Sequence, residues 1–324
     1  MKAIQAHAFG GPEVLQYEDR PDPSAKAGEV IIDVRAAGIN PADTYMRGGS
    51  YALVPVLPYT PGGDAAGVIA EVGEGVTGFA VGDRVCTGTA IGFNMTGCYA
   101  EKVRRPAADV MKIPDSISFA QAACLGIPYA TAHYALFARG GSKANETVFI
   151  HGASGAVGTA AIQLAKRAGL NVIGSAGTER GLQLVRDQGA DHAVDHTADG
   201  YIEMVREVTG GEGPNIILEM LANVNLASDL ELSAMYGRII VIGNRGEITI
   251  NARTTMMKEL DVRGIALFNG SRAQMVEIMD DLMAGLQDGS LNPIVGTEMP
   301  LSEASAGHIK VLEPGAHGKI VLVP

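Results

Sequence analysis

Apolar and polar positions change rhythm once along this chain. In the first hundred or so residues, short apolar runs alternate with turn residues. The β-rich runs at 30–36 and 67–72 predict strands, the second closed by Gly73-Glu74-Gly75. The stretch 76–85 continues the pattern, punctuated by Gly78, Gly82 and Asp83. Pro55, Pro58 and Pro61 lie close together, and a residue that lacks an N–H and clashes with the preceding turn excludes a long helix there. This half predicts a mostly β, partly open barrel with long loops.

Near residue 119 the texture becomes alanine-rich and helical, over 119–138, with Pro128 as the expected break. Strands and helices then alternate. Strands are predicted at 147–151, 170–174, 193–194, 215–219, 238–242 and 262–268, and helices between them at 157–168, 180–188, 201–209 and 226–235. Gly169, Gly189 and Gly210 stand where helix caps belong. Repeated β-α units with apolar strands imply a doubly wound parallel sheet covered on both faces. The tail, 272–324, predicts a helix ending near Gly289 and a last strand at 319–323 that folds back onto the N-terminal half. With 324 residues, two cores are expected.

Composition narrows the function classes. Net charge is −11 with no basic run longer than two residues, which argues against nucleic acid as a partner; any anionic ligand needs a local device. Cys86, Cys98 and Cys124 fit neither a disulfide framework nor a Cys-x-x-Cys metal site, and reduced thiols suit a cytoplasmic protein. No secretory leader or membrane span is read from the pattern.

The central chemical signal is a strand running into His151-Gly152-Ala153-Ser154-Gly155-Ala156-Val157-Gly158 and then a helix. Gly155 allows a pyrophosphate close to the backbone, Gly158 lets helix and strand pack, and the first amides of the helix meet negative charge. Ala153 replaces the first glycine of the strict pattern, so a plain strand–helix turn is the competing reading. Proteins binding NAD usually carry an acid at the tip of the second strand, where this chain has Gly174-Ser175-Ala176-Gly177-Thr178. That leaves space for a 2′-phosphate. Arg180 and His196 could bind it, although Arg180 reads equally as a solvated helix charge and His196 as a loop residue. Two charge-assisted bonds at about 1.5–3 kcal/mol each would favour NADPH by about two to four orders of magnitude.

Stretches across nearly the whole chain carry a resemblance: FGGPEVL at 9–15, GINPADTY at 38–45, LPYTPG at 57–62, GIPY at 126–129, HGASG at 151–155, AGTE at 176–179 and EMLANVNL at 219–226. In these the chain resembles the zinc-independent medium-chain dehydrogenase/reductases, in their zeta-crystallin-like quinone oxidoreductase branch. The resemblance implies a GroES-like domain (1–124, completed by 268–324), a Rossmann domain (125–267) and an active site in the cleft between them. It implies NADPH, with Tyr45 reaching the nicotinamide and Ser154, Gly155, Ala156 and Val157 carrying the pyrophosphate. Gly177 and His196 would lie near the adenosine ribose and its 2′-phosphate, and Asn225 against the cofactor. Ile242, Gly243, Asn244 and Arg245, with Ile265, Ala266 and Leu267, would line the nicotinamide half through backbone groups. Some relatives carry a lysine beside the 2′-phosphate at the position of Gly181. A homodimer or homotetramer joined along the last sheet strand is also implied.

Zinc-dependent relatives hold their metal at positions matching Asn40, Gly63 and Ile127, none a usual zinc ligand; Cys124, three residues from the last, reads as a core thiol. Without a Lewis acid the acceptor must be easily reduced, which suits quinones or conjugated enones and enals. Asn40 and Tyr45 are the catalytic candidates, as donors to a carbonyl oxygen gaining charge, with Tyr51 and Tyr59 as weaker ones. Asp43 reads as a partner of nearby backbone or an arginine. The residues name no general acid, and water is the default proton source. Quinone reductase is the first reading, reductase of α,β-unsaturated carbonyls the second, and a cofactor-binding structural or RNA-binding protein the third.

Overall fold

The computed structural model describes residues 1–88 and 97–324. The N-terminal half begins with a two-stranded antiparallel ribbon, β1 (Lys2–Ala6) and β2 (Leu15–Asp19). A larger sheet follows from β3 (Glu29–Gly38), β4 (Asp64–Val72), β5 (Arg84–Thr87), β6 (Lys102–Pro106) and β7 (Val110–Lys112). The short helix α1 (Pro41–Arg47) interrupts it after β3. The strand predicted to run through 76–85 forms only from Arg84, because Gly78 and Gly82 sit at φ +84° and +95° and turn the backbone.

Helix α2 (Phe119–Ala122) starts at a Ser118–Gln121 capping box, and α3 (Gly126–His133) continues into a π-helical turn at Tyr134–Arg139. Pro128 does not break this segment. It occupies the first turn of α3, where its missing N–H has no intrahelical partner to lose, and the interruption falls at 123–125 instead.

A parallel sheet occupies the next region: β8 (Thr147–Ile150), β9 (Asn171–Ala176), β10 (His192–Asp195), β11 (Ile216–Glu219), β12 (Arg238–Val241) and β13 (Asp261–Gly264). Its order is β10-β9-β8-β11-β12-β13, the doubly wound arrangement. The connecting helices are α4 (Ala156–Arg167), α5 (Glu179–Asp187), α6 (Tyr201–Val208), α7 (Ala222–Leu232) and α8 (Ala252–Lys258). Gly169, Gly189 and Gly210 close their helices at positive φ, as expected. Two expectations shift. Helix α7 begins four residues before the predicted start, at Ala222, and β13 ends at Gly264, with a 3-10 turn at Leu267–Asn269 in place of further strand. Strand β13 is the edge of the sheet, with Val262 exposed.

The tail contributes α9 (Arg272–Gln287), β14 (Val295–Pro300), α10 (Ala304–Lys310) and β15 (Lys319–Val323). Helix α9 packs its Ile278, Met279, Leu282 and Leu286 into the core cluster of the parallel sheet. Strand β15 pairs antiparallel with β3 through Val321 and Leu322, so the end of the chain completes the first sheet, which remains open. Among the described residues no helix is long and apolar enough to cross a membrane.

Candidate active site

Strand β8 is the switch point of the parallel sheet: β9 lies on one side and β11 on the other, and connections leave in opposite directions. Its loop turns at Gly152, φ +56°, and delivers Gly155 as the N-cap of α4. A Cβ on Gly158 would lie 2.5 Å from the Cα of Ala153, so only glycine lets helix and loop approach this closely. No side chain caps α4. The amides of Ala156 and Val157 therefore open a twelve-residue helix onto the crevice, the donor arrangement a pyrophosphate requires. Ser154 ties the loop down through its side chain. Its Oγ donates to the Ala316 carbonyl at 2.6 Å, and the Gly318 amide donates to the Ser154 carbonyl at 2.7 Å, tying the loop to the tail.

At the tip of β9 no acid intervenes. Thr178 caps α5 by accepting from the Gly181 amide, and a Cβ on Gly177 would meet His196 Nε2 at 2.7 Å. Arg180 and His196 are both exposed at this rim. Burial, and then His151, lower the pKa of His196. His317 joins them from the tail: burial and the charge of Arg180 lower its pKa. Sequence reading missed His317, since nothing local to 317 points to a site 137 positions earlier. A Cβ at 181 would meet Ser154 Oγ and Thr178 Oγ1 at 3.1 Å, a tight fit that asks both neighbours to give slightly.

Three further segments converge on the crevice. The Glu219 carboxylate, at the end of β11, accepts from the amide of Leu221 and from Asn225 Nδ2 at 3.2 Å. The amides of Ile242 and Gly243 both donate to the Glu219 carbonyl, at 2.8 and 3.2 Å, so they are engaged within the protein. A Cβ on Gly243 would strike the Met220 carbonyl at 2.2 Å. Asn244 donates to the Gly246 carbonyl. Ile265 continues the backbone pairing to Val241, Ala266 accepts from Asn269, and Leu267 is buried at the head of its turn.

Tyr45 and Arg245 meet although 200 residues apart: Arg245 Nε donates to Tyr45 Oη at 3.3 Å, and its Nη1 to the Leu312 carbonyl at 3.4 Å. Tyr45 comes from α1 and Arg245 from the loop after β12, so the bond spans the gap between the two sheets. Because the hydroxyl accepts from Arg245, its own proton stays free to donate. Tyr51 lies 6.4 Å from the Tyr45 ring and 5.9 Å from Phe268, edge-on to the latter. Tyr59 lies on the Asp43 and Arg47 side, its hydroxyl buried with no partner among the described residues and its pKa raised by that burial.

Residues 26–115 match the alcohol dehydrogenase GroES-like domain and residues 156–284 the zinc-binding dehydrogenase domain. The chain is 43% identical to the human (Homo sapiens) quinone oxidoreductase, with all of this chain and 98% of that protein aligned. The chain belongs to the quinone oxidoreductase family. It is an oxidoreductase of the medium-chain dehydrogenase/reductase class, as the quoted stretches implied. Among solved structures, an NAD-dependent alcohol dehydrogenase superposes with a TM-score of 0.93 at 30% identity, covering both chains fully. The Escherichia coli quinone oxidoreductase complexed with NADPH superposes at 0.87 with 29% identity, again over both chains fully.

Within this family fold, the start of β15 holds a buried residue that the sequence reading passed over as a strand position. Lys319 is 1% exposed, and its ammonium donates to Asn40 Oδ1 at 2.5 Å and Asp64 Oδ2 at 2.8 Å. Asn40 Nδ2 donates to Asp64 Oδ2 at 2.9 Å, and the Ile127 amide to Asp64 Oδ1 at 2.8 Å. Asn40 also heads α1 in a capping box with Asp43. Asn40 thus has both ends of its amide engaged and keeps one N–H. Asp43 bonds the Asn40 amide and Tyr99 Oη, backbone as expected but no arginine, and burial raises its pKa to about 6. The residues at 40, 63 and 127 do not fit a zinc ion. They offer an engaged amide, a glycine and an isoleucine, and an ammonium stands at the same corner.

Proposed function

We propose that this protein is an NADPH-dependent quinone oxidoreductase that works without zinc, with its acceptor in the cleft between the 1–124 domain, completed by 268–324, and the 125–267 domain. The observation that carries the reading is the full-length match to the human quinone oxidoreductase. The geometry supports the cofactor: an uncapped helix behind a glycine loop, and an acid-free β9 tip rimmed by Arg180, His196 and His317. When bound, NADPH would supply the electrons that reduce the quinone. Ala156 and Val157 donate their amides to the pyrophosphate, and Gly177 leaves room for the adenosine ribose. Asn225, held by Glu219, and the segments 242–245 and 265–267 wall the nicotinamide half and exclude water. Tyr45 directs its free O–H at the acceptor's carbonyl oxygen, and Arg245 holds that phenol and offers positive charge as the oxygen gains electrons. Asn40 sets the start of α1 and so the height of Tyr45. Water supplies the proton.

The test is NADPH oxidation by purified protein with a chelator present, against 1,2- and 1,4-quinones and a short enal, with NADH as control. Quinone turnover favouring NADPH is expected. Turnover of the enal with no quinone would move the protein to the alkene reductases, and loss of activity on chelation would refute the zinc-free reading.

A further inference from the structure

Beneath the crevice lies a cluster to which no role has yet been given. His151, Glu219 and Asp229 are all buried, and one ring nitrogen and one oxygen of each carboxylate lie within 4.8 Å of one another. His151 Nε2 is 2.8 Å from Asp229 Oδ1 and 3.4 Å from Glu219 Oε2. Glu219 Oε2 and Asp229 Oδ2 have no hydrogen-bond partner among the described residues. Each member anchors a different segment. His151 immediately follows β8 and begins the glycine loop; Glu219 ends β11, and its other oxygen holds Leu221 and Asn225. Asp229 lies on α7, behind both.

Two buried carboxylates against one neutral imidazole cannot both remain charged at low cost, and one proton between them relieves the repulsion. Burial raises both carboxyls to about 7 and lowers His151, which points the same way. The other titratable groups facing the cluster are Tyr201, from the α6 side, and His196, beyond His151.

We propose that His151, Glu219 and Asp229 form a positioning unit that shares a proton and holds the two cofactor-facing loops in register, so that dinucleotide affinity weakens when the proton is lost. The proposal rests on the NADPH reading. With that proton the Glu219 carboxyl anchors the 221–225 segment; without it, repulsion pushes the ends of β11 and α7 apart and moves Asn225.

The test measures the NADPH Kd by fluorescence titration from pH 6 to pH 8.5, and the urea midpoint of the cofactor-free protein over the same range. Glu219→Gln mimics the protonated acid and keeps an oxygen for Leu221 and Asn225. In the parent, Kd should rise severalfold more across the range than in Glu219→Gln, which isolates the cluster from titration of the 2′-phosphate and of His196. The parent's urea midpoint should fall as pH rises, because a carboxyl raised in the folded state stabilises below its unfolded pKa and loses that contribution on passing its folded value. The Glu219→Gln midpoint should fall less over the same range. Equal Kd slopes in parent and variant would overturn the proposal even if the midpoints differ, leaving the cluster purely structural. One equivalent of divalent metal in the purified protein would overturn it too, by replacing the proton with a cation. No NADPH binding by the parent at any pH would sink the cofactor reading itself.

Discussion

One buried polar cluster belongs to the first sheet and another to the parallel sheet, and they balance charge in opposite ways. At the floor of the first sheet, Lys319 and Asp64 cancel, and Asn40 and the Ile127 amide occupy most of the remaining hydrogen-bonding capacity. At the end of β8 and β11, Glu219 and Asp229 outnumber their single base, and two of their oxygens have no hydrogen-bond partner among the described residues. The first cluster is satisfied by its own residues. The second is satisfied only with a proton. The comparison teaches that burial alone does not make a charge costly; what costs is the imbalance the burial encloses.

The largest effect should come from unbalancing the first cluster. Lys319→Met leaves Asp64 buried without its cation and should cost about 3–5 kcal/mol of stability, read from urea or thermal unfolding. The double change Lys319→Met with Asp64→Asn should recover most of it. A Lys319→Met protein as stable as the parent would show that the pair contributes nothing.

A smaller effect, of opposite sign, is expected in the second cluster. Asp229→Asn removes the surplus charge while keeping an oxygen toward His151. Relative to the parent it should gain on the order of 1 kcal/mol at pH 8, and much less at pH 5, where the parent already holds its proton. Equal differences at both pH values would break the contrast drawn above.

The smallest stability effect belongs to the exposed bond between Arg245 and Tyr45. Arg245→Ala should change stability by no more than about 0.5 kcal/mol, as for surface substitutions generally. Its signature should instead be kinetic, a severalfold fall in kcat/KM for the quinone. An unchanged kcat/KM would remove Arg245 from the acceptor site.

Legibility followed sequence distance. The glycine loop, the acid-free tip of β9 and the helix caps were readable because each depends on residues a few positions apart; Gly155 and Gly158 carry their reason in the turn they build. Tyr45 and Arg245 were each singled out as residues, but their pairing was not, because they meet over 200 positions. The side-chain partners of Ser154 and Asn40 were not legible either: Ala316 for the one, Lys319 and Asp64 for the other. Pro128 misled because a rule about helix interiors was applied to a helix's first turn.

By itself the sequence determined the alternation of strands and helices, the dinucleotide loop and the absence of zinc donors at 40, 63 and 127, all of which rest on local backbone chemistry and residue type. Only the tertiary structure decided which buried charges face each other. Lys319 pairs with Asp64 across 255 positions because β15 adds to β3. His151 meets Asp229 across 78 because α7 packs behind adjacent parallel strands. Ionic complementarity is a property of distance in space, and a linear pattern of residues carries no distance beyond a turn or two.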